Sequence, residues 1–474
     1  MFIEKELIEM HRPGRSSVTR RNLLRSVAGG AAAGSLLKLA VTAASGQANP
    51  AQPVNRFSAP SNLKITDIRA ATVAAYYDYP LIRIDTNQGV YGLGEVFAAG
   101  VKGSALMLKP FLVGRNPVEI EAILRPLRGS VGQSFWNSGY GAIDLALHDI
   151  AGKVYGVPAW RLLGEKVQNR VLLYADTAGA KEPKQYAQRI DRRRKMGFRF
   201  FKMDLETPLV ADRPGAVFPN GIATDKGLGY LCEYVAAARD VLGKGAPIAG
   251  DHFVQPEERM SVKDAIRYAR AFEPYGLAWA EDLIGRNSVR WREFKEIRQN
   301  TTTPILTGEM AFGVEGFREL IENQAVDIIH PDYVFSGGML EIKRIADYAA
   351  AHGIKTAIHL PGSPIGMIAM AHVAATLTTT NFVAIEMHAA DMPWWQDLVK
   401  GVEKPIVDDG YVRVPDSPGL GLELNDDVVK EHLREPGFFE PTPEYDKIIT
   451  SGFRTNGPWP HFKADGTWCN CTDE

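Results

Sequence analysis

The sequence predicts an α/β protein: a parallel (β/α) barrel preceded by an α+β domain that a C-terminal segment completes. Eight short apolar runs alternate with helix-like segments between residues 171 and 399, the number needed to close a parallel barrel. No Gly-rich dinucleotide turn follows any run, which sets aside a doubly wound open sheet. Almost every run ends in a charged residue or histidine, the pattern of a barrel whose strand ends share one mouth.

The 474-residue chain opens on a different composition. "TRRNLL", with Arg20 and Arg21, precedes "SVAGGAAAGSLLKLAVTAASGQA", and paired arginines before a weakly apolar Gly/Ala segment resemble a twin-arginine export signal over residues 1–48. The expectation is a periplasmic protein, cleaved after Ala48 or Ala44. Residues 49–61, rich in Pro, Asn and Ser, form a linker.

Residues 62–170 are read as the α+β capping domain. "LKITDIRAATV" and "PLIRIDTNQGVYGLGEVF" are strand-like, the latter turning at Asn87-Gln88-Gly89. Helices follow; in "YGAIDLALHDIAGKVYGVPAWRLLG", Ile143, Ala146, Leu147 and Ile150 fall at helical spacing, with Gly156 and Pro158 ending the element. Residues 171–399 are the barrel, and the Pro/Gly-rich insertion "LETPLVADRPGAVFPNGIATDKG" is placed on its catalytic face. Residues 400–425, "KPIVDDGYVRVPDSPGLGLELN" at their heart, are expected to return to the capping domain as a hairpin, and 426–474 to form a helix and tail.

Hydrophobic residues at 45% and charged residues at 23% suit a folded soluble protein. A net charge of −2 gives no reason to expect nucleic acid, or a membrane once the signal is removed. Three cysteines make no disulfide framework; Cys232 reads as core, and Cys469 and Cys471 as part of a polar tail.

The run ends supply Lys202, Asp204, Asp251, His252, Glu281, Asp282, Glu309, Asp332, His359 and Glu386. Asp251, Glu281 and Glu309 close three successive runs, and three hard oxygen donors without cysteine suit Mg²⁺. Asp332 and His359 close the next two, so the carboxylate can fix the imidazole tautomer and leave its other nitrogen as a general acid/base. His330 reads as structural. His252, which follows Asp251, is a second candidate acid and a candidate substrate contact, although strand alternation would turn it away from Asp251 unless the strand has already ended. His388, Trp394 and Trp395 in "HAADMPWWQD" are candidates to pack on a polyol, and Tyr76, Tyr77 or Asp78 to reach over the mouth.

These residues resemble the enolase superfamily in its mandelate racemase/muconate lactonizing branch, over about residues 62–425. The likeness is carried by "AIDLALHDIAGKVYGVPAWRLLG", "HPDYVFSGG", "IHLPGSP" and "DGYVRVPDSPGLGLEL". It implies an enolase-type barrel, Mg²⁺ on Asp251, Glu281 and Glu309, and removal of the proton alpha to a substrate carboxylate through an enediolate. It implies that Glu386 hydrogen-bonds the substrate carboxylate. Members with a Lys-x-Lys pair use its second lysine as a base; here "FKMDLE" matches the first with Lys202 and carries Asp204 in place of the second. Dehydration of a sugar acid to a 2-keto-3-deoxy acid is therefore expected, with a racemase or epimerase and a cycloisomerase as alternatives, and a non-catalytic carboxylate-binding protein from another class. A homo-oligomer acting on a small carboxylate is the expected form.

Overall fold

A computed structural model describes residues 62–98, 100–131, 137–253, 260–285 and 290–447. The expected export signal, the linker up to residue 61, Cys469 and Cys471 lie outside them.

Strands β1 (Ile65–Val73), β2 (Tyr79–Thr86) and β3 (Tyr91–Glu95) form an antiparallel sheet in which Ile68 faces Ile84. The helix Asn137–Tyr155 lies on this sheet so closely that a Cβ on Gly92 or Gly94 would meet the Ala146 or Ala142 carbonyl at 2.0 and 2.1 Å. Only glycine permits that approach. The helix is buried on all sides rather than on one stripe, so its polar residues must be paired. Asp144 accepts from the Met339 and Leu340 amides, capping the barrel helix Gly338–Ala351. Asp149 accepts from the Leu93 amide at 3.1 Å and the Leu420 amide at 2.9 Å, joining the sheet to the C-terminal segment.

The barrel strands are β4 (Arg170–Thr177), β5 (Phe201–Asp204), β6 (Ile248–Asp251), β7 (Ala280–Glu281), β8 (Ile305–Thr307), β9 (Ile328–Ile329), β10 (Lys355–Ile358) and β11 (Phe382–Met387). Each pairs in parallel with the next, and β11 closes on β4 through Glu386 opposite Tyr174. Inside, Tyr174, Phe200, Trp279, Leu306 and Ile328 pack with the small Ala249, Ala357 and Ala384 as a solid floor. Polar groups just above that floor are cut off from water from below.

The C-terminal segment departs from expectation in its hairpin alone. Its hairpin, β13 (Val407–Asp408) and β14 (Tyr411–Arg413), adds antiparallel to barrel strand β4 rather than to the first domain. Strand β4 has free backbone groups at its N-terminal end, near Val171, because β11 and β5 engage it only further along. The first domain is reached from Gly419 onward, where Gly419 bridges Pro158, the Leu420 amide donates to Asp149 and Glu423 lies 3.6 Å from Lys153. After β12 (Val399–Lys400) pairs with β15 (Glu423–Leu424), Leu433 bridges Val73, and Thr442 Oγ1 donates to the Ile68 carbonyl. Buried Lys109 anchors this run, meeting Asp67 at 2.6 Å and the Thr442 carbonyl at 2.9 Å.

Candidate active site

All eight strand ends open on one mouth, and each delivers a polar side chain: Asp176 from β4, Asp204 from β5, Asp251 from β6, Glu281 from β7, Glu309 after β8, Asp332 after β9, His359 after β10 and Glu386 from β11. Lys202 is the one ammonium among them, 1% exposed. Its Nζ lies 2.5 Å from Glu386 Oε1, 2.7 Å from Asp251 Oδ2, 3.5 Å from Glu281 Oε1 and 3.8 Å from Asp176 Oδ1. Burial alone would favour neutral lysine, but Asp251, Glu281 and Glu386 outweigh it and hold the amine protonated well above its ordinary range. Glu386 is correspondingly held well below the carboxylate range, its burial overcome by Lys202, His388 and His359.

On β10, His359 Nδ1 meets Asp332 Oδ2 at 2.7 Å, while Nε2 faces the mouth 3.3 Å from Glu309 Oε2 and 3.5 Å from Glu386 Oε2. The other Asp332 oxygen accepts from the Val334 and Phe335 amides, so the dyad is fixed by backbone. The Phe97 ring, from the capping domain, lies stacked 6.2 Å from the His359 ring. Burial lowers the basicity of His359, but Glu309, Glu386 and Asp332 push it up to about 10.

His252 turns into the mouth, because the strand has already ended and alternation no longer applies. Strand β6 ends at Asp251, and His252 itself takes φ +53, a left-handed conformation that costs a non-glycine residue. That turn brings Nε2 to 3.6 Å from Asp251 and 4.0 Å from Asp204; Asp251, against the opposing effect of burial, pushes its pKa up to about 9. Asp282 repeats the device after β7 with φ +51, its Oδ1 accepting from Thr307 Oγ1 at 2.5 Å. Burial, then Glu309, Glu281 and Asp251, raise its carboxyl well above the usual range.

Among the described residues, three groups have ligand atoms that lie within 4.8 Å of one another inside each group: Glu281, Asp282 and Glu309; Asp204, Asp251 and His252; His359, Glu386 and His388. The expected set of Asp251, Glu281 and Glu309 thus spans two adjacent groups, with Lys202 Nζ between them. Among the described residues, eight carboxylates (Asp176, Asp204, Asp251, Glu281, Asp282, Glu309, Asp332, Glu386) face one ammonium and the imidazoles of His252, His330, His359 and His388. Glu281 Oε1, Asp204 Oδ1 and Asp176 Oδ1 are buried and make no directed hydrogen bond within the chain. Such an excess of buried oxygen acceptors fits a hard divalent cation.

His330, expected to be structural, supports this floor: its Nδ1 is 3.1 Å from Glu281 Oε1, and its Nε2 is 2.7 Å from the Tyr174 hydroxyl. Trp279 Nε1 donates to the other Glu281 oxygen at 2.9 Å.

A cavity of about 430 Å³ opens from the mouth beneath the loop after β11, lined by Tyr77, Asp176, Asp204, His252 and His388 among others. His388 Nδ1 lies 3.2 Å from Asp176 Oδ2. The two tryptophans do not line this cavity. Trp394 stacks on His432 at 3.9 Å between centroids, and buried Trp395 donates to the Gly362 carbonyl at 3.2 Å, so both brace the loop from outside. Asp78 likewise turns away, engaging Arg434.

Sequence reasoning passed over Asp176, Glu95 and Arg193. Asp176 sits inside its apolar run, in "VLLYADT", rather than at its end. Glu95, fully buried at the end of β3, accepts the Ser363 amide with both oxygens at 3.0 and 3.1 Å, tying the capping sheet to the loop after His359. Burial, opposed by hydrogen bonds from Ser363 and Tyr333, raises its pKa from 4.5 to about 7. Between those values the folded chain holds a proton that the unfolded chain has released, so stability falls as pH rises through that window. Glu95→Gln is expected to flatten that slope and gain up to roughly 3 kcal/mol above pH 7, read by urea unfolding at pH 5 and pH 8.

Comparison with known proteins adds to this geometry. Residues 185–428 match the family described as enolase C-terminal domain-like, and residues 53–164 the mandelate racemase/muconate lactonizing enzyme N-terminal domain. A D-xylonate dehydratase from Haloferax volcanii is 35% identical over 383 residues, 78% of this chain and 89% of that protein. A mandelate racemase/muconate lactonizing enzyme-like protein from Rubrobacter xylanophilus superposes with a TM-score of 0.72 at 32% identity, over 80% of this chain and 100% of that one. An enolase from Pantoea ananatis with bound D-gluconate and magnesium superposes with a TM-score of 0.67 at 28% identity, over 79% and 96% of the two chains.

Proposed function

The chain belongs to the mandelate racemase/muconate lactonizing branch of the enolase superfamily and is an enzyme, and from that premise we propose that it is a Mg²⁺-dependent hydro-lyase converting a sugar acid to a 2-keto-3-deoxy acid. The observation that carries this reading is the placement of two imidazoles. His359, held by Asp332, stands on β10; His252 follows β6, four strands away in a ring of eight and so on the opposite side of the mouth. A base and an acid on opposite faces of a bound chain suit elimination across adjacent carbons.

In the proposed reaction Asp332 accepts from His359 Nδ1–H, leaving Nε2 to take the proton alpha to the substrate carboxylate. The electron pair of the broken C–H bond delocalises into the carboxylate, giving an enediolate. Its collapse breaks the bond to the beta oxygen, and His252 protonates the departing hydroxyl to water. The resulting enol tautomerises to the 2-keto-3-deoxy acid. Asp251, Glu281 and Glu309 would hold Mg²⁺, whose charge stabilises the doubly negative carboxylate. Lys202, kept cationic, orients the carboxylates around it and the substrate's own carboxylate beside Glu386.

Proton NMR of the protein with Mg²⁺ and D-xylonate or D-gluconate in D₂O tests this reading: new 3-deoxy methylene signals support it. Exchange of the alpha proton with the hydroxy acid intact would instead make the enzyme a racemase or epimerase, and ring closure a cycloisomerase. His252→Asn should lower dehydration by ~10²–10³-fold while alpha-proton exchange persists, since only the acid is lost. Equal loss of both would remove His252 from the role.

Export to the periplasm belongs to the same proposal, supported by Arg20-Arg21 and the Gly/Ala-rich segment after them. Among the described residues, no helix is long and apolar enough to cross a membrane.

A further inference from the structure

The cavity beneath the loop after β11 extends past His252 and His388 to a residue that the proposed reaction does not use. Helix Pro183–Lys195 carries the basic run "RIDRRRK", most of it solvated, but Tyr186, Ala187, Ile190 and Arg193 form its buried face. The Arg193 side chain is 8% exposed, and its Nη1 lies 2.7 Å from Asp391 Oδ1, on the cavity rim. That contact is an ion pair without hydrogen-bond direction: neither Nε nor Nη1 makes a directed hydrogen bond within the chain. A guanidinium cannot shed its charge, so buried N–H groups without acceptors are costly until something fills the cavity.

We propose that Arg193, paired with Asp391, is a specificity-determining residue that receives the hydroxyl-bearing far end of a linear monocarboxylic sugar acid and selects against diacids. The inference rests on the sugar-acid reading above, because it assumes that the substrate's one carboxylate lies at the mouth. From there the cavity of about 430 Å³ runs outward, a volume within the range of small-molecule sites and more than a three-carbon acid would fill. The chemistry of its far end decides between two kinds of terminus. A second carboxylate would meet one guanidinium whose charge Asp391 already balances, with Asp176 and Asp204 on the cavity walls. A neutral pair of neighbouring hydroxyls would meet both partners favourably, one accepting from Arg193 and the other donating to Asp391. Arginine's planar fork suits that two-point contact, where lysine offers a single point charge.

The test is calorimetric binding of D-gluconate, D-glucarate and D-glycerate with Mg²⁺, in the full chain carrying His359→Asn so that ligand is not consumed. Arg193→Met, which keeps the buried stem, should weaken D-gluconate by ~10–100-fold and leave D-glycerate unchanged. Arg193→Lys should lose an intermediate factor, and it decides the matter if the Met variant does not fold. D-glucarate should bind the parent more weakly than D-gluconate, and Asp391→Asn should narrow that gap. Equal weakening of D-gluconate and D-glycerate, a preference for D-glucarate, or a parent that binds D-gluconate no better than D-glycerate would each overturn the proposal. If binding follows the expected pattern while wild-type enzyme turns over no sugar acid, the dehydration reading falls and the assignment of Arg193 stands.

Discussion

His359→Asn abolishes alpha-proton exchange, at a cost of at least ~10³-fold in kcat/KM, while leaving Mg²⁺ affinity close to that of the wild type. The amide can fill the imidazole's place and still donate to Asp332, but it has no lone pair able to hold a proton. The same geometry fixes a pH dependence. A base must be neutral to act, so activity rises with pH through the His359 pKa. In the cation-free chain that pKa is about 10, because Glu309 and Glu386 stabilise the imidazolium against the opposing effect of burial. A divalent cation engaging Glu309 competes with that attraction, so Mg²⁺ should bring the acid limb toward neutrality and release protons on binding. NMR titration of the ring with and without chelator, and proton release in buffers of different ionisation enthalpy, check both. An acid limb indifferent to Mg²⁺, or exchange surviving in the Asn variant, would move the base elsewhere.

Lys202→Met is the second large effect, and it acts first on stability. Among the described residues the ammonium is the one fixed cation between Asp251, Glu281 and Glu386, all buried above an apolar floor. Its removal leaves buried carboxylates facing one another, a change that costs about 3–5 kcal/mol when a buried partner is deleted. The carboxylates can answer by taking up protons, so the loss should be greatest at alkaline pH and smaller in acid. Mg²⁺ should restore more stability to the variant than to the wild type, because it supplies charge where the ammonium stood. Urea unfolding with EDTA and with Mg²⁺ measures this. Wild-type stability with lost exchange would instead make Lys202 a proton acceptor, a role that its strongly protonated state disfavours.

The barrel and its dyad were legible because both depend on local pattern. A polar residue closing an apolar run reports a strand end, and a closed parallel barrel carries strand ends to one mouth whatever their distance along the chain. What escaped depends on where single residues turn. His252 was a candidate only if its strand had ended, and it faces the mouth because β6 stops at Asp251 and its backbone adopts φ +53. The tryptophans looked like sugar platforms, but tertiary contacts with His432 and Gly362 claim both. Arg193 was hidden in a basic run that reads as a wet face. Its spacing from Tyr186 and Ile190, seven and three residues, is the signal that it shares their buried stripe. Asp176 and Glu95 are acids within or beside apolar strands; the burial of Asp176 is understood only once Lys202 and His388 are placed beside it, and that of Glu95 once Ser363 is found across the domain boundary.

The run that fastens Thr442 to Ile68 also sets an order in time. These two residues are 374 positions apart, so at ~5–20 residues per second the ribosome finishes the second roughly 20–75 s after the first. Throughout that interval Lys109 has Asp67 for a partner but neither Thr442 nor Asp446, and the edge strand β1 stays open at Val73. The domain translated first is therefore the one completed last, and a chain cut short after the barrel would lose the edge of its beginning.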